Sequence, residues 1–488
     1  VTPYLDYHGL APEIVLTAVI LIALVVDLVW KEAARSVVPQ IAGVGLLGTL
    51  VPIATLAADG HTRTMFGGAF VVDNYSLAFA AFFVVVGYVS LLLSYDYIAD
   101  GDYYQGEYYV LLLTSVLGMV VLASSRDLIT IFVALETVTL PSFVLAGWRK
   151  HDTRSNEAAI KYFLIGVLST AVMLYGMSIV YGMSGTTLLA GIAAAAAAHQ
   201  APLFAVAIAL VLGGFAFKVS AVPFHFWTPD TYEGAPTPVT AFLSVASKAA
   251  GFVGLLTVVR FAFFPSHLSW QPVLWGLAAA SIVVGNLAAL RQTNVVRMLA
   301  YSSIAQGGFI LVPLAVAGSG SSAKVGYEGV FIYLLVYAAM NLGAFACVIA
   351  NARRTRSGEI TSFAGLGRTN PALAVVFSIF LFSLAGVPPF AGWFAKFVMF
   401  RAVLENGSTG AVILGVIAAV FSVVAFFYYA GVVRQIWFHD PADLGADTAS
   451  KLPVALTAAL SITLAVVLVI GVYPQLFARI GDLAFRLG

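Results

Sequence analysis

Phe215-Ala216-Phe217-Lys218-Val219-Ser220-Ala221-Val222-Pro223-Phe224-His225-Phe226-Trp227 is an apolar stretch with three residues that do not belong in one. A lysine sits among aromatics, a proline follows five residues later, and a histidine stands between two phenylalanines. Proline has no amide hydrogen, so inside a helix it frees a carbonyl about one turn earlier. Lipid cannot satisfy that carbonyl; water or side chains must. Lys218 therefore stands beside a place that is expected to be wet. Pro388-Pro389-Phe390-Ala391-Gly392-Trp393 repeats the pattern Pro-Phe-x-x-Trp at an offset of 166 residues, again inside a long apolar run. Two unrelated proline kinks would give the same letters. Paired interrupted spans in two halves of a chain are also the sequence pointer to an ion or substrate site at the membrane midplane.

Composition sets the frame around these two stretches. The chain has 488 residues, 61% hydrophobic and 10% charged. Soluble domains carry about 25% charged residues, so an ordinary cytosolic enzyme and a disordered protein are excluded. A net charge of +1 offers no basic surface to a nucleic acid. The mean hydropathy of +0.97 indicates a polytopic membrane protein. The one cysteine, Cys347, lies in an apolar run and cannot form an intrachain disulfide. No CxxC, HExxH or P-loop pattern occurs, so no metal, haem or nucleotide site is expected.

Apolar runs place spans at roughly 11–30, 38–58, 76–95, 108–124, 127–147, 157–182, 203–223, 237–263, 271–290, 295–316, 326–350, 372–400, 409–433 and 452–475. Continuous apolarity favours helices, since transmembrane strands alternate. The expected fold is an all-α membrane protein of about fourteen transmembrane helices with the seventh and twelfth broken. The first run lacks the basic start of a cleavable signal and reads as a retained span. Loop charge sets orientation. Odd-numbered loops hold Lys31, Arg35, Arg149, Lys150, Arg154, Arg291, Arg297, Arg353, Arg354, Arg356, Arg368, Arg434 and Lys451. Even-numbered loops and the C-terminal end hold Arg63, Arg126, Arg260, Lys324, Arg401, Arg479 and Arg486. The excess puts the odd loops in the cytoplasm and both termini outside. The acids of the third loop, Asp96, Asp100, Asp102 and Glu107, count little under this rule.

Four of the 8 lysines, Lys161, Lys218, Lys248 and Lys396, fall inside apolar spans, whereas the 16 arginines stay in loops or at span ends. A cation at the bilayer centre costs about 2.5–3.5 kcal/mol on insertion scales. Arginine keeps its proton, but a buried lysine can release it. Choosing the releasable cation four times points to proton handling. Glu136 is the one carboxylate deep in a span; Asp27 and Glu13 read as interfacial. A Glu136–lysine bridge that only locks two helices is the plainer reading, and snorkelling is the plainer reading of Lys161 and Lys396. His225 reads equally as a satisfied hydrogen-bonding group or as a relay. Tyr301, Ser302, Ser303 and Gln306 form a polar stripe on the tenth span, with Tyr337 and Asn341 on the eleventh. Such stripes also serve as interhelical glue.

The segment from Phe217 to Gly251, including Trp227-Thr228-Pro229-Asp230-Thr231-Tyr232-Glu233-Gly234-Ala235-Pro236, resembles the signature of the antiporter-like proton-channel subunits of respiratory complex I. Lys161–Ser169 and Met173–Gly182 agree with it, and the likeness covers nearly the whole chain. Within that family the N type is the most similar. The resemblance implies two inverted five-helix repeats, at 108–263 and 271–437, flanked by helices 1–3 within 1–107 and a last helix within 438–488. It implies that Glu136 is the fifth-helix glutamate paired with Lys218 of the seventh, and that Lys161 is the sixth-helix lysine near that pair. Lys248 resembles the central eighth-helix lysine and Lys396 the twelfth-helix one. The M type usually has glutamate there, which favours N. The L type has a long lateral helix, and the sequence reaches Gly488 soon after its last span. The doubled proline at 388 and 389 has no reading.

The implied function is proton translocation in NADH:quinone oxidoreductase, through a midplane row of Lys218, Lys248 and Lys396. The implied setting is a bacterial inner (plasma) membrane. No cofactor is expected in this chain; FMN, iron–sulfur clusters and quinone would belong to partner subunits. The implied partners are peripheral and membrane subunits of that complex, above all neighbouring antiporter-like subunits, together with lipid and protons. A subunit of an Mrp-type cation/proton antiporter and a purely structural scaffold are the alternatives.

Overall fold

The computed structural model describes residues 5–30, 34–101, 105–198, 202–318, 320–441 and 452–485. Lys31, Asp102, Lys451, Arg486 and Gly488, used above, lie outside them. The chain is almost entirely helical. In order it forms α1 (Ala11–Val29), α2 (Ala34–Asp59), α3 (Asn74–Ala99), α4 (Gly106–Ser124), α5 (Leu128–Ala146), α6 (Thr153–Ser184) and α7 (Leu189–Ala198). Then come α8 (Pro202–Lys218), α9 (Trp227–Gly234), α10 (Thr237–Phe242), α11 (Lys248–Val258), α12 (His267–Ala289), α13 (Val295–Ala315) and α14 (Ser321–Thr355). The last are α15 (Leu366–Thr369), α16 (Pro371–Ala385), α17 (Gly392–Asn406), α18 (Thr409–Phe438), α19 (Val454–Val472) and α20 (Gln475–Ala484).

Short polar residues set where many helices begin. Asp73 caps α3 through Ser76 in a reciprocal capping box, and Asp127 accepts from the amides of Ile129 and Thr130 to start α5. Asp152, Asn294, Asn370 and Ser408 do the same for α6, α13, α16 and α18. Each cap satisfies amides that have no partner within the helix, which is worth about 1 kcal/mol. Several of the few polar residues in this chain are thus spent at helix ends.

Among the described residues, 11 helices are long and apolar enough to cross a membrane. One of these is a helical path of 53 residues, Thr237–Ala289. At about 1.5 Å per residue it would measure about 80 Å if straight, against a hydrocarbon core of about 30 Å. It does not run straight: Phe264–Ser266 forms a tight 3-10 turn containing Pro265 between α11 and α12. Two further apolar helices, α8 and α16, are shorter. They end at the two interrupted stretches.

The sequence reading needs amendment at three places. A two-stranded antiparallel hairpin, β1 (Arg63–Met65) and β2 (Phe70–Val72), interrupts the all-helical order. The alanine-rich α7 folds as a helix of 10 residues, too short to have been counted as a span. The terminal α20 is amphipathic and follows the last apolar helix after a break at Tyr473-Pro474.

Loops of like parity meet. Asp100 pairs with Arg353 at 2.6 Å and Arg368 with Asp440 at 2.5 Å, joining the third, eleventh and thirteenth loops. On the other side Arg63 pairs with Asp6, Arg126 with Asp73 at 3.1 Å, and Lys324 with Asp482 at 2.6 Å. The helical path Thr237–Ala289 is buried at its most apolar part, as are α13 and α14, whereas only 28% of the most apolar part of α1 and of α18 is buried. The inner set carries the candidate site.

Candidate functional site: a buried lysine row

Both interrupted stretches are built alike. Helix α8 closes at Lys218 because Ser220 takes a left-handed backbone, φ 59°. The Ser220 amide then donates to Phe217 O (3.0 Å) and the Ala221 amide to Ala216 O (2.8 Å). Helix α16 closes at Ala385 in the same way, with Gly386 at φ 90°. Its amide donates to Ser383 O (2.9 Å), and that of Val387 to Phe382 O (3.0 Å). Cis peptide bonds follow at Val222-Pro223 and Pro388-Pro389. The matched positions keep the offset of 166 residues. This corrects the expected role of the prolines. Pro223, Pro388 and Pro389 do not break a continuing helix; each helix has already been capped before its proline is reached.

Glu136 and Thr139 lie on one face of α5, three residues apart. Glu136 Oε1 accepts from Thr170 Oγ1 of α6 at 3.1 Å and from Lys218 Nζ at 3.4 Å. Lys218 Nζ also donates to Thr139 Oγ1. The Thr139 hydroxyl in turn donates to Leu135 O at 2.5 Å. The ammonium thus has two acceptors, a carboxylate and a hydroxyl, within one side-chain swing. Gly251 of α11 faces the Lys218 stem, where a Cβ would collide with it. This lets α11 approach closely, and Lys248 stands one turn away on the same helix.

Lys248 is 2% exposed. It follows directly on a π-helical turn, Leu243–Ser247, a local widening that often marks functional positions. Its Nζ donates to Ser303 O at 2.9 Å and to Ser303 Oγ, with no carboxylate in range among the described residues. Around this point Asn341 Oδ1 is buried with no hydrogen-bond partner among the described residues, and the buried hydroxyls of Tyr232 and Tyr337 approach Ser303 without good hydrogen-bond geometry. Asn341 Nδ2 is satisfied by Ser244 Oγ at 2.7 Å.

Helix α13 carries the polar path onward. Ser303, Gln306 and Phe309 follow one another at three-residue spacing on one face. Gln306 donates to Leu384 O at 3.0 Å and accepts from Tyr333 at 2.8 Å. Ser302 meets Tyr429 at 2.5 Å. Lys396 Nζ lies 5.3 Å from the Phe309 ring and donates to Ala385 O at 2.6 Å. Leu384 O and Ala385 O are final carbonyls of a capped helix, which have no amide partner inside it. One is taken by Gln306, the other by Lys396. The stripe read as glue does bridge helices, and it also connects the surroundings of two lysines.

Lys161 is a different case. The sequence reading put it inside the sixth span toward one end, and the resemblance placed it near the Glu136–Lys218 pair. Its side chain is instead 41% exposed, against 5% for Lys218, and it pairs with Glu157 at 2.6 Å and Asp230 at 2.7 Å. Asp230 also meets Arg297 at 3.0 Å, and Arg297 meets Glu233 at 2.8 Å. Asp230, Glu233 and Arg297 gave no sequence signal, because Arg297 was read as a loop charge and the acids as part of a motif. Glu233 also lines a cavity of about 840 Å³ on the odd-loop side, together with Asp100, Arg149, Asp152 and Arg353. His225 is buried in the turn before α9, its ring tilted 33° against that of Phe226 with centres 4.7 Å apart. Its Nδ1 has no partner, and no side-chain bond joins it to the four lysines among the described residues. No cluster of three or more metal-ligating side chains occurs among those residues either.

Comparison with known proteins gives a consistent set of likenesses. Residues 125–422 match the family model described as NADH:quinone oxidoreductase/Mrp antiporter, transmembrane. The NAD(P)H-quinone oxidoreductase subunit 2 of Synechococcus sp. (strain JA-3-3Ab) is 43% identical over 91% of this chain and 82% of its own length. A chain of respiratory complex I from Thermus thermophilus with bound aureothin superposes with a TM-score of 0.78 at 31% identity, over 96% of this chain and 98% of that one. A chain of the Mrp complex from Dietzia sp. superposes with a TM-score of 0.85 at 22% identity, over 98% and 97%. That last likeness is one of fold.

Proposed function

Because the chain belongs to the family of antiporter-like membrane subunits of NADH:quinone oxidoreductase and Mrp antiporters, we propose that it is the N-type, proton-translocating subunit of a complex I-like quinone reductase. One observation carries the mechanism. Three ammonium groups, Lys218, Lys248 and Lys396, are 6%, 2% and 7% exposed, and α13 links the surroundings of the last two with a polar face. Desolvation and mutual repulsion both disfavour keeping all three charged. A proton arriving at one site therefore pushes a proton off the next.

Glu136 is the modulator. When its carboxylate holds Lys218, the ammonium keeps its proton; when Lys218 swings to Thr139 alone, it gives the proton up more readily. The hydroxyls of Tyr232 and Tyr337 beside Ser303 and the Asn341 carbonyl mark where water would complete the path to Lys248. Lys396 is the terminal site, and Lys161 with Asp230, Arg297 and Glu233 lines the approach from the odd-loop face. His225 is a secondary candidate at the first break.

In this reading the chain makes fourteen crossings. The path Thr237–Ala289 supplies two, and each interrupted helix counts once with its second half. The capped breaks belong to two inverted repeats. The chain sits in a bacterial inner membrane with the odd loops cytoplasmic and both termini outside. Neighbouring antiporter-like subunits are its lateral partners. Quinone reduction, FMN and iron–sulfur clusters reside in other subunits of the complex.

The test is to purify the tagged chain from native membranes and to reconstitute what accompanies it. Flavin- and iron–sulfur-bearing subunits should co-purify, and proton uptake into vesicles should require both electron donor and quinone. Cation-for-proton exchange in vesicles without any redox subunit would instead identify an Mrp-type antiporter. Full pumping after neutralising the lysines would identify a scaffold.

A further inference from the structure

On the even-loop side a cavity of about 370 Å³ lies where the α11 path ends and α14 begins. Its walls include Arg260, Phe261, Phe264, Ala323, Tyr327 and Phe485. Nothing in the proton path uses these residues. The Arg260 guanidinium is held among four rings, 4.8 Å from the centre of Phe261, 5.1 Å from Phe485, 5.3 Å from Tyr75 and 5.8 Å from Tyr327. Such ring faces fix a cation in place but do not neutralise it.

The neighbouring charges are already matched. Arg126 pairs with Asp73 at 3.1 Å. Lys324 at the rim pairs with Asp482 at 2.6 Å and with Glu328 at 3.5 Å. Arg260 has no ion pair among the described residues. Its Nη1 is enclosed and has no hydrogen-bond partner among the described residues, and neither has the hydroxyl of Tyr327, a residue only 6% exposed. An enclosed guanidinium nitrogen on a half-buried arginine and a buried phenol, both unsatisfied and both on one cavity wall, are costly unless something accepts from them.

The partner that suits a cation and a phenol together is an anion that takes two donors, an N–H of a guanidinium and an O–H. Guanidinium groups suit phosphate in this respect. The rest of the wall is apolar, with Phe261, Phe264, Ala323 and Phe485, apart from Gly320 and the ion-paired Lys324. The site lies at the ends of apolar helices, beside the loop-side ion pairs, at the level where lipid headgroups stand. Its volume is at the low end of small-ligand pockets, which are about 300–1,000 Å³. That suits a headgroup and the start of a chain, with the remainder lying in the bilayer.

We propose that this cavity binds the headgroup of an anionic phospholipid from the leaflet on the even-loop side, with Arg260 and Tyr327 donating to its phosphate. The lipid supplies the direct ion pair that Arg260 lacks among the described residues, where the Asp73 carboxylate acts on it only through space. It also ties the end of the α11 path to the start of α14 and to Phe485 beyond α20.

The assembled complex tests this directly. Phe264 is replaced by p-benzoylphenylalanine, and the complex is irradiated in vesicles of phosphatidylglycerol or of phosphatidylcholine. Adducts are read by mass spectrometry. A phosphatidylglycerol adduct should form, and R260Q should lower it by about tenfold, the loss of one charge-assisted hydrogen bond. Tyr327→Phe keeps the ring and removes only the hydroxyl; it should lower the adduct several-fold and is the safeguard if R260Q fails to assemble. Inorganic phosphate at millimolar concentration should not compete. An adduct unchanged in both variants would overturn the assignment. So would equal labelling by phosphatidylcholine, or adducts to polypeptide alone. Displacement by inorganic phosphate would show a free-anion site instead of a lipid site.

Discussion

Lys218 and Lys161 are the same residue type in two electrostatic situations, and the difference governs what each substitution does. Lys218 is buried against Glu136 and Thr139, while Lys161 is half-exposed between Glu157 and Asp230. Removing one member of a buried pair strands the other, at about 3–5 kcal/mol. Exposed pairs are worth about 0–1 kcal/mol. Lys161→Ala should therefore leave the amount of assembled complex and its melting temperature close to wild type. Lys218→Ala should lower the melting temperature by several degrees and abolish pumping. Native gels and thermal denaturation of the purified complex check both, and equal losses for the two variants would contradict the assignment. Glu136 and Lys218 were legible in the sequence because each is too costly to leave alone in hydrocarbon. Thr139 and Thr170, which complete the pair, were not. A threonine in an apolar helix usually bonds its own backbone, and nothing in one dimension shows that these two hydroxyls face a charge.

At the scale of elements, the two breaks were legible in place but not in cause. Pro223 and Pro389 drew attention to them, yet the helices end at Lys218 and Ala385 through left-handed residues. Gly386 is a familiar end signal, whereas Ser220 is not, so the first ending carried no mark. The two positions respond oppositely to substitution. A left-handed conformation costs an L-residue about 1–2 kcal/mol, a cost glycine avoids. Gly386→Ala incurs it, and its new methyl would press on the Lys396 stem. That variant should lose stability by about 2 kcal/mol or more and should pump poorly even where it assembles. Ser220→Gly removes the same strain together with a buried, unpartnered hydroxyl. It should be neutral or stabilising by up to about 1 kcal/mol. Thermal denaturation of the two complexes side by side is the check; a Gly386→Ala variant as stable and active as wild type would show that the cap does not position Lys396.

For the whole molecule, hydropathy carried the helical, membrane-spanning architecture, because a bilayer allows few alternatives to bundled helices. The excess of Lys and Arg on one set of loops predicts the orientation, and ion pairs such as Asp100–Arg353 join loops of that set. With Cys347 buried and replaced by serine, a cysteine at Arg354 should react with an impermeant maleimide only from the cytoplasmic side. Labelling from outside would reverse the topology. The lateral path was less legible. The stripe on α13 could be read, but its alignment with Lys248 at one end and the α16 carbonyls at the other exists only after folding. The central claim is that charge moves along this path by release of lysine protons, and it rests most heavily on Lys396, whose one hydrogen-bond acceptor among the described residues is a helix-end carbonyl. The direct measurement is the proton-to-electron ratio of assembled complex carrying Lys396→Arg, reconstituted in vesicles, against wild type. Arginine keeps the positive charge but does not give up its proton. The account predicts that quinone reduction persists while the ratio falls; a wild-type ratio in Lys396→Arg would make the residue a fixed charge and contradict the mechanism.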